Sequence, residues 1–127
     1  MVIDTSALVA IMLDEPERRS FNERIEADSV RLLSAASFVE TALVIETRLG
    51  EAGGREFDLL LHRAAVEIVP VDADQAEIAR RALRQFGRGR HPAGLNFGDS
   101  VAYALAKTRG EPLLFKGSDF ALTDVPR

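Results

Sequence analysis

The chain has 127 residues, of which 46% are hydrophobic and 28% charged, so its composition is that of one globular domain over residues 1–127 and not of a disordered chain. It has no cysteine and no apolar run of the roughly 20 residues that a membrane span needs, so we expect a cytoplasmic protein without disulfides or thiolate metal sites. The 16 basic and 20 acidic residues give a net charge of −4, which argues against binding of nucleic acid by overall positive charge.

In the first half of the chain, short apolar strands alternate with helices. Strands are predicted over residues 1–4 and 30–34. Helices are predicted over residues 6–13, 16–27, 35 or 37 to 49, and 57–66. Pro16 is typical of a first helical turn, and Gly50 is predicted to end the third helix. Gly53 and Gly54 predict a break before the fourth.

The second half continues the alternation. A strand over 67–71 precedes a helix that Asp72 or Asp74 caps and that extends to about residue 86. A glycine-containing loop then leads to elements predicted over residues 99–109 (helix), 112–115 (strand) and 118–122 (turn). Strands separated by helices indicate an α/β domain with a mostly parallel sheet, because parallel strands need long crossover connections.

Four acidic residues are predicted at one edge of this sheet. Asp4 ends the first strand, and Glu40 lies near the start of the helix that follows the second strand, with no basic residue three or four positions away. Asp99 opens a helix and Asp119 follows the last strand, although each alone would suit a helix or turn cap. Because ligands bind at the carboxyl ends of parallel strands, the coincidence of four acids there predicts a functional site.

Clustered carboxylates repel one another unless a cation or protons neutralise them. Oxygen ligands without histidine or cysteine favour Mg²⁺, or Mn²⁺ in its place, and such ions activate water for phosphodiester hydrolysis. Ser6 and Asn96 are polar neighbours of these acids that would either orient a carboxylate or water, or serve only as caps and loop hydrogen-bonding groups. The pattern therefore favours a metal-dependent nuclease.

One basic segment stands out, because residues 78–98 contain five arginines and no acid. It is interpreted equally well as a solvated helix face or as an anion-contacting surface, in which Arg88 and Arg90 would approach substrate phosphates. Phe97 and Tyr103 are expected to be core or interface aromatics, with base stacking as the less favoured interpretation.

Four stretches carry a family resemblance: VIDTSAL at the start, SFVE ending at Glu40, NFGD ending at Asp99, and LLFKGSDF around Asp119. In sequence and order they resemble the PIN-domain ribonuclease toxins of the VapC type, from bacterial toxin–antitoxin pairs. The resemblance covers nearly the whole chain. One departure is that Phe115 and Gly117 stand where many PIN domains have Thr and Asp.

The resemblance implies a three-layer α/β/α fold and a Mg²⁺-dependent endoribonuclease that hydrolyses RNA with metal-activated water. It implies that the acidic metal-binding set is Asp4, Glu40, Asp99 and Asp119, supported by Ser6. It also implies a homodimer and a cognate antitoxin that occludes the site. Lys116 is expected to pair with Asp119 or to reach a substrate phosphate.

Two alternatives remain open from the sequence. A receiver-like signalling domain also gathers acids at a sheet edge and has a lysine after a late strand, but no aspartate ends a strand in the middle of this chain. A PIN-fold module without catalytic activity would serve only as a binding partner.

Overall fold

A computed structural model describes residues 1–127 as a parallel four-stranded sheet with helices on both faces. The strands are β1 (Val2–Ile3), β2 (Leu32–Ser34), β3 (Glu67–Val69) and β4 (Leu113–Leu114), in the order β3-β2-β1-β4. The helices are α1 (Thr5–Met12), α2 (Arg18–Ala27), α3 (Ala35–Arg63), α4 (Ala73–Phe86) and α5 (Phe97–Arg109), followed by a 3₁₀ turn over Phe120–Leu122. The predicted α/β class with a parallel sheet is confirmed.

The sheet separates two hydrophobic clusters, which makes the fold three-layered as expected. Successive residues of a strand point to opposite faces, so Val2 and Ile3 enter different clusters, as do Leu113 and Leu114 of the neighbouring strand. One cluster is completed by α4 and α5 and the other by α1, α2 and α3. None of the helices combines the length and apolar character that crossing a membrane requires.

In the middle of α3, one of the two predicted interruptions is present and the other is absent. Gly50 has φ 69° and ψ −164°, which interrupts the helix where the sequence predicted its end. The break predicted at Gly53 and Gly54 is wrong, because both lie within the helical stretch that follows. A Cβ on Gly53 would lie 2.5 Å from the Cβ of Leu49, so this glycine allows close approach of the two stretches and does not end a helix.

Most predicted element boundaries lie within three residues of the observed ones. The strands are shorter than predicted; β3 ends at Val69 and not at residue 71. Helix α5 starts at Phe97 and not at Asp99, so that Asp99 falls in its first turn. Asp72 is the N-cap of α4, and its Oδ1 accepts a hydrogen bond of 2.8 Å from the backbone N–H of Gln75.

Arg31, just before β2, joins the carboxyl ends of two helices. Its Nε donates to the carbonyls of Ile25 (2.8 Å) and Asp28 (2.9 Å). Its Nη1 donates to the carbonyl of Ala64 at 2.7 Å and its Nη2 to that of Glu26 at 3.1 Å. The positive guanidinium therefore satisfies carbonyls at the ends of both α2 and α3.

Arg31→Met is expected to lower the free energy of unfolding by about 2 kcal/mol, because the apolar stem is retained while charge-assisted hydrogen bonds to partly buried carbonyls are lost. Urea unfolding followed by circular dichroism measures the change. Arg24→Met is the matched control, since Arg24 lies on the exposed surface of α2 and forms no ion pair. Equal stability of the two variants would contradict the role of Arg31.

Candidate active site

Asp4 lies at the carboxyl edge of the sheet, directly after β1, and is the N-cap of α1. Its side chain is only 3% exposed. One carboxylate oxygen, Oδ2, accepts hydrogen bonds from the backbone N–H of Ser6 (3.0 Å) and from the Ser6 hydroxyl (2.6 Å). The backbone N–H of Asp4 donates to the carbonyl of Leu114 at 2.9 Å. Hydrogen bonds thus hold both the backbone and one carboxylate oxygen of Asp4, while the other oxygen, Oδ1, accepts no hydrogen bond from the protein.

The Ser6 hydroxyl connects Asp4 to the loop after β4. While Ser6 Oγ donates to Asp4, it accepts a hydrogen bond of 3.0 Å from the backbone N–H of Lys116. A side chain that orients an acid in this way is what a supporting residue of a metal site does.

Glu40, on the first turns of α3, lies against the start of α5. A Cβ on Gly98 would overlap the Glu40 carboxylate, with its Cδ only 2.7 Å away. A larger residue at position 98 would therefore displace this carboxylate from its present position. Sequence reasoning did not single out Gly98, because its partner is distant in the sequence. Glu40 forms no ion pair, as expected from its local sequence.

Asp99 and Asn96 form a capping box at the start of α5. Asn96 Oδ1 accepts from the backbone N–H of Asp99 at 2.9 Å, and Asp99 Oδ2 accepts from the backbone N–H of Asn96 at 3.0 Å. The capping interpretation of Asn96 is therefore correct. The same pair of bonds holds the Asp99 carboxylate in place and leaves its Oδ1 without a protein donor.

Asp119 is exposed and makes no capping hydrogen bond at the 3₁₀ turn that it precedes. The simple capping role is thus absent. One prediction paired Lys116 with Asp119, and the structure shows that this pair does not form. The Lys116 Nζ lies 3.2 Å from carboxylate oxygens of both Glu15 and Glu17, in the connection between α1 and α2.

The charges of the four predicted acids act on one another. The pKa of Asp4 is raised to about 6, chiefly by burial and in smaller part by the nearby charges of Asp99 and Glu40, against the lowering effect of its hydrogen bonds from Ser6. Burial also raises the pKa of Asp99, with additional repulsion from Asp119 and Glu40. None of the four carboxylates has a cationic partner within 4 Å.

This donor set fits a hard divalent cation in its chemistry. It offers carboxylate oxygens only, and those of Asp4 and Asp99 each include one oxygen without a protein donor. No three His, Asp or Glu side chains are grouped closely enough to surround an ion in this conformation. Ion binding would therefore draw the carboxylates together.

The basic segment lies beside these acids. The charge of Arg88 lowers the pKa of Asp99, opposing the burial that raises it. Arg88 and Arg90 both line a groove between α4 and the start of α5. Phe97 lines the same groove and is 73% exposed, so of the two predicted locations, core or interface, the core is wrong and the interface stays a prediction. Tyr103 is buried as predicted, and its hydroxyl donates to Asp124 Oδ1 at 2.6 Å.

Comparison with known proteins gives consistent matches. The family model described as "PIN domain" matches residues 1–126. "VapC ribonuclease Mb0640" of Mycobacterium bovis is 63% identical over 125 residues, covering 98% of this chain and 95% of the relative. Among solved structures, Mycobacterium tuberculosis VapC20, described as a "Sarcin-Ricin loop cleaving toxin", superposes with TM-score 0.79 at 17% identity over 98% of this chain and 95% of that one. A "Toxin-antitoxin complex from Klebsiella pneumoniae" gives TM-score 0.72 at 18% identity over 97% and 92% of the two chains.

Proposed function

The chain belongs to the VapC-type PIN-domain family, and from this premise we propose that it is an endoribonuclease acting as the toxin of a toxin–antitoxin pair. The observation that supports the proposal is the buried Asp4 carboxylate. The nearby charges of Glu40 and Asp99 contribute to its raised pKa, and it has no cationic partner in the protein. The family assignment replaces the receiver-like alternative.

We propose Mg²⁺, with Mn²⁺ as a substitute, as the cofactor of this site. Asp4, Glu40 and Asp99 would hold it, with Asp119 as the exposed fourth acid. When bound, the ion would activate water and neutralise the charge that develops on the phosphate oxygens.

The protein's own groups would position these carboxylates and bind the substrate. The Ser6 hydroxyl holds Asp4 in one rotamer, and the capping box does the same for Asp99. A carboxylate of the set would accept the proton that the attacking water loses, and the product would carry a 5′-phosphate. Arg88 lies close enough to Asp99 for its charge to lower the pKa of that carboxyl, and it would attract the RNA backbone to an otherwise acidic site.

The proposed partners are RNA, a cognate antitoxin and a second copy of the chain. An acidic edge without a cationic partner would attract a basic side chain of the antitoxin, and a structural neighbour is a toxin–antitoxin complex. The homodimer would cover Val39 and Leu43, which lie one turn apart on α3 and are 63% and 68% exposed. The cytoplasmic location stays a prediction.

Cleavage of total cellular RNA by the purified protein tests the proposed function. Discrete fragments with 5′-phosphate ends are expected with Mg²⁺ or Mn²⁺, and none with EDTA. Fragments that form equally well with EDTA would overturn the metal dependence. Absence of both cleavage and Mn²⁺ binding would favour the PIN-fold binding module without activity.

Gly98→Ala is expected to lower the cleavage rate about 10- to 100-fold, because its methyl group would displace the Glu40 carboxylate. Gly54→Ala is the matched control. Gly54 is also helical, and a Cβ there would lie 3.0 Å from Cδ of Glu46, a carboxylate outside the predicted set. Rates are measured under saturating Mg²⁺, with thermal melts to check folding. A Gly98→Ala protein as active as Gly54→Ala would show that the position of Glu40 does not matter.

A further inference from the structure

The groove beside the acids has an apolar floor and a basic rim. Its volume is about 650 Å³, within the range of sites for small organic ligands. We call it the arginine groove and define it by its floor residues Leu83, Leu95 and Val101 and its rim residues Arg84, Arg88 and Arg90. No acidic side chain lines it. Because its floor is apolar and its rim is positively charged, the groove suits an occupant with both apolar surface and negative charge.

The rim arginines are not engaged within the protein. Arg80, which also lines the groove, lies 3.6 Å from Glu77, but Arg84, Arg88 and Arg90 have no acidic partner within 4 Å. Unpaired guanidinium groups along one wall are well suited to bind successive phosphates of a nucleic acid strand.

Phe97 adds an aromatic ring to the groove. It is the first residue of α5 and 73% exposed, whereas the residues of the next turn, Ser100 and Val101, are buried. It is also only two residues from Asp99. An exposed ring next to an acidic edge and unpaired arginines has the composition of a single-stranded nucleic acid site, where bases stack on aromatics and basic groups bind the backbone.

We propose that the arginine groove holds an unpaired nucleotide of the RNA strand beside the phosphodiester that is cleaved, with its base stacked on Phe97 and adjacent phosphates bound by Arg88 and Arg90. This inference rests on the proposed ribonuclease function. Phe97 of the groove and Asp99 of the acidic edge lie in the same first turn of α5, and this adjacency favours RNA over an acidic peptide. Base-paired RNA keeps its bases stacked within the helix, so Phe97 would select single-stranded segments.

The test compares Phe97→Ala, Phe97→Tyr and Arg90→Gln with wild type. Binding of a fluorescent single-stranded RNA oligonucleotide and of the same sequence as a duplex is measured in EDTA by anisotropy, across a series of salt concentrations. Phe97→Ala should weaken single-strand binding about tenfold without changing the salt dependence, and should leave duplex binding unchanged. Phe97→Tyr should restore binding. Arg90→Gln should reduce the slope of log affinity against log salt by about 1.

The control is Leu122→Ala, since Leu122 is 53% exposed but lies outside the groove. Equal single-strand affinity of Phe97→Ala and wild type overturns the inference, and so does an equal loss of duplex binding. An acidic amphipathic peptide that loses affinity for Phe97→Ala, while RNA does not, would assign the groove to a protein partner instead. A wild-type protein that neither binds nor cleaves RNA overturns the proposed function as well, whereas cleavage by wild type with no effect of Phe97→Ala overturns the inference alone.

Discussion

Asp4→Asn is expected to lower the rate of RNA cleavage by more than about 100-fold while leaving the protein folded. The amide keeps the size of the carboxylate, and its oxygen can still accept the two hydrogen bonds from Ser6. The variant loses the charge that would hold a divalent cation at the edge of β1. Initial rates with Mg²⁺ and isothermal titration with Mn²⁺ measure the loss of activity and of metal affinity together.

The control for this substitution is Asp58→Asn. Asp58 is exposed on the second stretch of α3 and takes part in no ion pair, so removal of its charge changes the net charge equally but not the acidic edge. Wild-type activity is expected. Should Asp4→Asn retain both cleavage and Mn²⁺ affinity, the assignment of Asp4 as a metal-binding acid would be wrong.

The same variant is expected to be more stable than wild type in the absence of divalent ions. Folding raises the pKa of Asp4 from 3.8 to about 6, because its carboxylate is buried beside other acids. The folded state therefore holds a proton that the unfolded state has lost between these pH values. The stability that this proton contributes is fully present below pH about 4 and is lost as the pH rises through about 6. At pH 7 the ionised carboxylate costs about 3 kcal/mol, which Asp4→Asn removes.

Thermal and urea unfolding in EDTA at pH 7, 5 and 4 measure this difference. The stability advantage of Asp4→Asn should be largest at pH 7 and decrease toward pH 4. Mn²⁺ should stabilise wild type and not the variant, because a cation that binds only the folded state shifts the folding equilibrium. An advantage that is constant over this pH range would mean that ionisation of Asp4 is not its cause.

The approach of the predicted acids to one another followed from topology. Asp4, Glu40 and Asp99 belong to three different elements, and the rule that parallel strands end at one edge was enough to place them there. The alternation of short apolar strands with helices was enough to predict the fold class, since the residues of β1, β2 and β4 are all buried between the helical layers. These features depend on local sequence and a general rule of connectivity.

What the sequence did not reveal depends on contacts between distant segments. Gly98 lies against the Glu40 carboxylate of another helix, and the partners of Lys116 are Glu15 and Glu17 from the opposite end of the chain. The exposure of Phe97 likewise follows from the direction of α5 and not from its neighbours in sequence. Side-chain pairing and exposure of this kind are set by packing, which periodicity does not specify.

The pairing of β1 with β4 has a kinetic consequence for a nascent chain. Asp4 is fixed by the carbonyl of Leu114, and Ser6 by the backbone N–H of Lys116, which is 110 residues further along. Contacts between such distant positions form late, because loop closure must precede them. During synthesis the acids near the amino end therefore stay unassembled until the last strand has left the ribosome. A ribonuclease built in this order would complete its acidic edge only after β4 has been made.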